Sequence, residues 1–125
     1  MGRADLIKAE ESLKDFLLNE YRQENERARV RGRINDIVDT TKYRRLSICF
    51  SEYGDTLLIL VQIGTYSAVF NVNEGKKIGG SMSIEDIQLI ETWISIKSNK
   101  EILKNLSKKR SYHEKYVELK PFDDV

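Results

Sequence analysis

Between residue 4 and about residue 31, apolar side chains return every three or four positions. Leu6, Leu13, Phe16, Leu17 and Tyr21 mark one stripe. Ile7 and Leu18 widen it, and the rest is mostly Glu, Lys, Arg and Asn. This spacing predicts a long amphipathic helix. Asp5, Glu10 and Glu11 lie early and the arginines late, which suits the helix dipole. Gly32 ends or weakens the helix, and Ile34, Ile37 and Val38 can carry a helical face to about Asp39. Arg27, Arg29, Arg31 and Arg33 alternate with Ala28, Val30, Gly32 and Ile34. A strand would gather the four arginines on one face, whereas a helix would spread them. The strongly helical run before them favours helix.

The period then changes to two. Leu46, Ile48 and Phe50 alternate within a strand predicted over 44–51, and the polar residues 52–55 form a turn. Residues 56–63 (TLLILVQI) are almost continuously apolar, as in a central, covered strand. Gly64-Thr65 reverses the chain into a third strand over 66–72. Asn73-Glu74-Gly75 reverses it again into a short fourth strand around 77–79. Ser83 starts a helix over 84–96, with Asp86 three residues on as a weaker capping box. Ile84, Ile87, Ile90 and Ile94 share its inward face, with Leu89, Trp93 and Ile96 beside them. After an interruption at Ser98-Asn99, residues 100–109 add a turn or two, with Ile102, Leu103 and Leu106 inward. The tail 117–122 (VELKPF) is extended, since Pro121 forbids helix.

These elements give an α+β fold: a three- to four-stranded antiparallel meander packed by a C-terminal helix, with a long N-terminal amphipathic helix. The expectation is one domain over 1–125, with a helical element at 1–40 and an α+β core and tail at 43–125. The 84–96 helix covers one sheet face. The N-terminal helix covers the other face or projects to a partner.

The ordered motifs Gly64-x-Tyr66-x-Ala68-x-Phe70, Glu74-Gly75, Ile90-Glu91-x-Trp93-Ile94 and Glu101-Ile102-Leu103 resemble the bacterial family known as domain of unknown function 4160. The resemblance runs without a gap from about Cys49 to Leu106. Members carry Pro-Pro-His-x-His in the second strand. Here that place reads Thr56-Leu57-Leu58-Ile59-Leu60, so both histidines fall on leucines. Imidazole can ligate a metal or shuttle a proton near neutral pH, and leucine can do neither. The family's genes often neighbour small toxin–antitoxin-like partners, which implies regulation by binding. The N-terminal helix has no counterpart in the resemblance.

Composition narrows the rest. The 125 residues are 40% hydrophobic and 33% charged, as in a domain with a highly charged surface. The single cysteine, Cys49, cannot form an internal disulfide. The first apolar cluster is broken by Asp5, Lys8, Glu10 and Glu11, unlike a secretory leader. No apolar run approaches the roughly 18 residues of a membrane helix. A cytoplasmic location without membrane contact is the expectation by elimination. The net charge of +1 hides a layout with consequences for partners. Residues 46–96 carry −4, residues 22–33 carry +3 and residues 97–110 carry +5.

No active site is legible. His113 is the only histidine, and Cys49 lies in a strand, on the side opposite Ile48 and Phe50. One histidine and one cysteine do not make a zinc set, and a free cysteine usually behaves as a small hydrophobe. Glu85-Asp86 and Asp123-Asp124 are adjacent in sequence and would diverge on a helix. Gly79-Gly80-Ser81 lacks the lysine of a P-loop and the spacing of a dinucleotide fingerprint. No catalytic residue, metal or cofactor is expected. The first functional reading is a non-enzymatic binding protein of bacterial or phage origin, antitoxin-like or a small inhibitor of a host system. Its contact residues would be Leu6, Leu13, Phe16, Leu17 and Tyr21 on the helix, with Arg27, Arg29, Arg31 and Arg33. The partner would be another protein, and a homodimer could form through the same helix. The second reading is nucleic-acid binding through Arg22 to Arg45, including Lys42, Arg44 and Arg45. The third is an enzyme with an unrecognised site.

Overall fold

The computed structural model describes residues 2–53 and 56–108. His113, the basic residues at 109–110 and the tail 117–122 lie outside the described residues. Helix α1 (Gly2–Val30) is followed by two 3-10 turns, Ile34–Asp36 and Thr41–Arg45. Strands β1 (Ser47–Tyr53), β2 (Thr56–Ile63), β3 (Tyr66–Asn71) and β4 (Lys76–Ser81) come next. Helices α2 (Ile84–Ser95) and α3 (Lys97–Lys108) complete the fold. The strands form one antiparallel sheet in the order β1-β2-β3-β4. The α+β meander with its long N-terminal helix is therefore present.

Register separates the two sheet faces. Phe50 pairs with Ile59 and Ile59 with Phe70, while Cys49 pairs with Leu60 and Leu60 with Val69. Directly opposed residues share a face. Ile48, Phe50, Ile59, Val61, Ile63, Ala68 and Phe70 turn toward the helices. They form one core with Leu6, Leu13 and Leu17 of α1, Ile90, Trp93 and Ile94 of α2, and Leu103 and Leu106 of α3. Thus α1 lies on the same side of the sheet as α2 and α3, rather than on the opposite face or out toward a partner. Geometry supplies the reason. Four strands about 4.8 Å apart span about 15 Å, and one helix of about 10 Å diameter cannot cover them. The Leu6–Leu13–Leu17 stripe closes the remainder.

Several boundaries move for local reasons. Val30 ends α1, because Gly32 takes φ +69° and reverses the chain. Arg33 N–H donates to the Ala28 carbonyl (2.7 Å) and Gly32 N–H to that of Arg29 (3.1 Å), the Schellman pattern. The segment 27–30 is therefore helix, and no helical face continues to Asp39. Strand β1 begins at Ser47 rather than 44. The Tyr43 ring is fully buried, and its backbone closes 3-10 bonds to Thr40 (3.3 Å) and Leu46 (3.2 Å), which takes Arg44 and Arg45 out of the sheet. Strand β4 is longer than expected and is irregular opposite Val69/Phe70. Gly80 is required there: at φ +79°, an added Cβ would stand 2.5 Å from the Ser67 carbonyl oxygen. The break between the last two helices falls at Ile96, whose backbone is extended, and not at Ser98-Asn99.

On α2 the buried arc runs Asp86, Ile90, Trp93 and Ile94. At 100° per residue, Ile84 lies about 200° from Asp86. It accordingly points outward and is 69% exposed, contrary to its expected inward place. Ile102 on α3 is likewise exposed, while Leu103 and Leu106 are buried. Ser83 does cap α2, accepting from Asp86 N–H at 3.2 Å.

Candidate functional site

The Asp86 side chain does not complete a capping box. It turns into the protein, where the Tyr21 and Tyr43 hydroxyls both donate to Oδ1, at 2.6 and 2.7 Å. Lys42 Nζ reaches Oδ2 at 3.4 Å. The two tyrosine rings stack with centroids 5.5 Å apart and an 18° interplanar angle, and Lys42 Nζ lies 5.1 Å from the Tyr43 centroid. Burial, and then the bond to Asp86, push both phenols well above their ordinary value of 10.0. They stay protonated donors at any physiological pH. The cluster joins α1, the second 3-10 turn and α2. It is a satisfied buried network that anchors Lys42 at the molecular surface.

Beside it lies an open cleft of about 450 Å³, between the Thr41–Arg45 turn and the β2–β3 hairpin. Lys42, Arg44 and Arg45 line it with Thr41, Ile63, Gly64, Thr65 and Tyr66, and among the described residues no carboxylate does. The two walls approach closely: a Cβ added at Gly64 would stand in van der Waals contact, 3.8 Å from Lys42 Cβ. Tyr66 is 57% exposed. Arg44 and Arg45 form no ion pair among the described residues. The Thr41 backbone N–H and hydroxyl both donate to Asp39 Oδ1, at 3.0 and 2.8 Å, and fix the start of the turn. Those bonds, with Lys42 and Arg44 nearby, hold the Asp39 carboxyl below its usual range.

Arg27, Arg29, Arg31 and Arg33 occupy a separate lobe, while Arg22 lies earlier on α1. Asn25 Nδ2 donates to the Val38 carbonyl (3.0 Å), and Val38 N–H donates back to Asn25 Oδ1 (2.8 Å). This clamp closes the base of the segment 26–37. On that segment Arg27 pairs with Glu24 and Arg29 with Glu26, both exposed. Arg31 and Arg33 form no ion pair among the described residues. On the same segment, Val30 and Ile34 are 80% and 74% exposed, the two most exposed large apolar side chains described.

The residues named from sequence therefore divide. Leu6, Leu13, Leu17 and Tyr21 are buried and Phe16 is half-buried against the core. The apolar atoms of the four buried residues are already out of water, so the folded chain does not present them to a partner or to a second copy. Arg27, Arg29, Arg31 and Arg33 are exposed together on the lobe, and Arg44 and Arg45 line the cleft on the other side of the clamp. Leu58 and Leu60 share the sheet face turned from the helices, opposite Ser51 and Cys49. Cys49 is partly buried there. Among the described residues no cluster of three His, Cys, Asp or Glu could hold a metal, and no helix is long and apolar enough to cross a membrane. Sequence reasoning missed the roles of Asp86 and Tyr43. The available signal was that Asp86 precedes Ile90 by four residues and Trp93 by seven, which puts a carboxylate in the apolar stripe.

Comparisons with protein-family models, curated proteins and solved structures find no match.

Proposed function

We propose that this chain is a non-enzymatic binding protein that regulates or inhibits another protein by occluding it, in the manner of an antitoxin or a small inhibitor. The 27–34 tip is its contact surface. One observation carries this reading: Val30 and Ile34 stand exposed on the same short segment as four exposed arginines, and a side-chain clamp closes the base of that segment. A single exposed aliphatic residue is ordinary. Two of them on one segment with four exposed arginines match the composition of an interface, in which apolar residues and arginine are both enriched. Among the described residues, nothing covers them. The partner that fits is a protein surface with an apolar hollow rimmed by carboxylates. Nucleic acid fits the tip less well, because Glu24 and Glu26 neutralise two of the four arginines. The pI of 7.8 also lies below the ~9 of a dedicated nucleic-acid binder.

The test is native purification of the full chain from its own host. The proposal expects a stoichiometric protein partner that survives nuclease treatment. Val30→Ser with Ile34→Ser, or Arg31→Gln with Arg33→Gln, should release it without lowering the urea midpoint. Retention of the partner by both double variants would contradict the proposal. Nuclease-sensitive material in place of a protein would favour the nucleic-acid reading.

A further inference from the structure

We propose that the cleft between the Thr41–Arg45 turn and the β2–β3 hairpin binds a single nucleotide unit, with its phosphate on Arg44 and Arg45 and its base against Tyr66. The site shares no residue with the 27–34 tip and stands independently of the function proposed above. Its dimensions suit the ligand: about 450 Å³ lies within the roughly 300–1,000 Å³ of small-molecule sites. Among the described residues its charge has one sign, with three cationic side chains and no carboxylate in the lining. The cations are not equivalent. Lys42 is held against Asp86 and so serves as a fixed wall, whereas Arg44 and Arg45 remain available among the described residues. A guanidinium fork matches two phosphate oxygens at once.

A bare anion would need only the arginines, but the cleft has a second, apolar half. Tyr66 pairs with Ile63 across the hairpin, so the two side chains share a face. Ile63 is buried in the core while Tyr66 stays mostly exposed at the start of β3. An exposed ring beside two arginines that form no ion pair among the described residues is an arrangement that can stack a base while holding its phosphate. Thr65 belongs to the same lining and carries a hydroxyl of the kind that bonds to ribose or phosphate. Thr41 is less free, because its hydroxyl is bound to Asp39. The walls are set before a ligand arrives: the hairpin turns at Gly64 with φ +61°, against Lys42. The shared chemistry is one nucleotide, supplied either free or within a single strand.

Isothermal titration of the full chain at low salt tests this with adenosine monophosphate, uridine monophosphate, adenosine, inorganic phosphate and a single-stranded hexanucleotide. The proposal expects 1:1 binding of a nucleoside monophosphate, with adenosine and inorganic phosphate each at least tenfold weaker. Tyr66→Ala should weaken nucleotide binding about tenfold, Tyr66→Phe should restore it, and Arg44→Gln with Arg45→Gln should abolish it. These side chains lie at the surface, so thermal midpoints should stay unchanged. Hexanucleotide binding no tighter than the monomer would identify the free nucleotide as the source. Binding at least tenfold tighter, and still lost with Tyr66→Ala, would identify a strand. Absence of binding by every nucleotide probe would overturn the proposal. So would equal affinity for inorganic phosphate and nucleotide that Tyr66→Ala leaves unchanged.

Discussion

Removing the Asp86 carboxylate leaves two buried hydroxyls without an acceptor and Lys42 without its counter-charge. Breaking a buried charged network by deleting one member costs about 3–5 kcal/mol. Asp86→Ala should therefore lower unfolding stability by about that amount in urea titrations, and Asp86→Asn, which keeps one acceptor, by less. The tyrosines give an independent check. Both phenols ionise above their unfolded value of 10.0. The stabilisation they confer is thus complete below about pH 10 and is lost as pH rises toward their folded values. A phenolate-absorbance titration should show Tyr21 and Tyr43, of the six tyrosines, ionising only as the chain unfolds. Ionisation of all six near pH 10 in a still-folded chain would contradict this. The cluster was only half legible in the sequence. The place of Asp86 on an apolar arc follows from helical period alone. Its partners lie 65 and 43 positions away, and periodicity carries no information about such pairings.

At the scale of elements, α1 serves two purposes along its length. Its first five turns give their apolar stripe to the core, and its end carries the exposed tip. Leu13→Ala should cost about 2–5 kcal/mol, as for other buried leucines. Val30→Ser should stay within about 0.5 kcal/mol of the parent chain, and equilibrium denaturation distinguishes the two. Asn25→Ala should cost about 1–2 kcal/mol by leaving the Val38 amide and carbonyl unpaired. It should also speed hydrogen exchange at the Val38 amide. Recurrence at three and four positions predicts that Leu6, Leu13 and Leu17 are hidden, but not what hides them. The same pattern would serve a sheet, a second copy or a foreign surface. The width of a four-stranded sheet decides between these, and it becomes apparent only once the strands are assembled. The alternating arginines misled less, because the strong helix before them and Gly32 after them fixed the local backbone. The shift of β1 from 44 to 47 traces to one residue, Tyr43, whose burial depends on distant partners.

Across the whole molecule, the proposed tip and cleft lie on the basic segment that precedes the acidic centre of the chain. The meander was readable because each reversal carries its own turn residues, and because β2 is apolar on both sides. The surface was less so: the tip and the cleft lie on one continuous arginine-rich segment, and only the Asn25–Val38 clamp shows that they are separate. Exposed charges are screened over about 8 Å at physiological ionic strength, so the tip complex should weaken as salt rises, while its apolar residues preserve residual binding. The most direct test of the central claim places a photoreactive amino acid at Val30 or at Ile7 of the full chain, in its own host. Ile7 lies on the same helix and is half exposed. The account predicts one discrete protein adduct from Val30 and none from Ile7. Equal labelling from both positions, or a Val30 position that captures no protein, would contradict it.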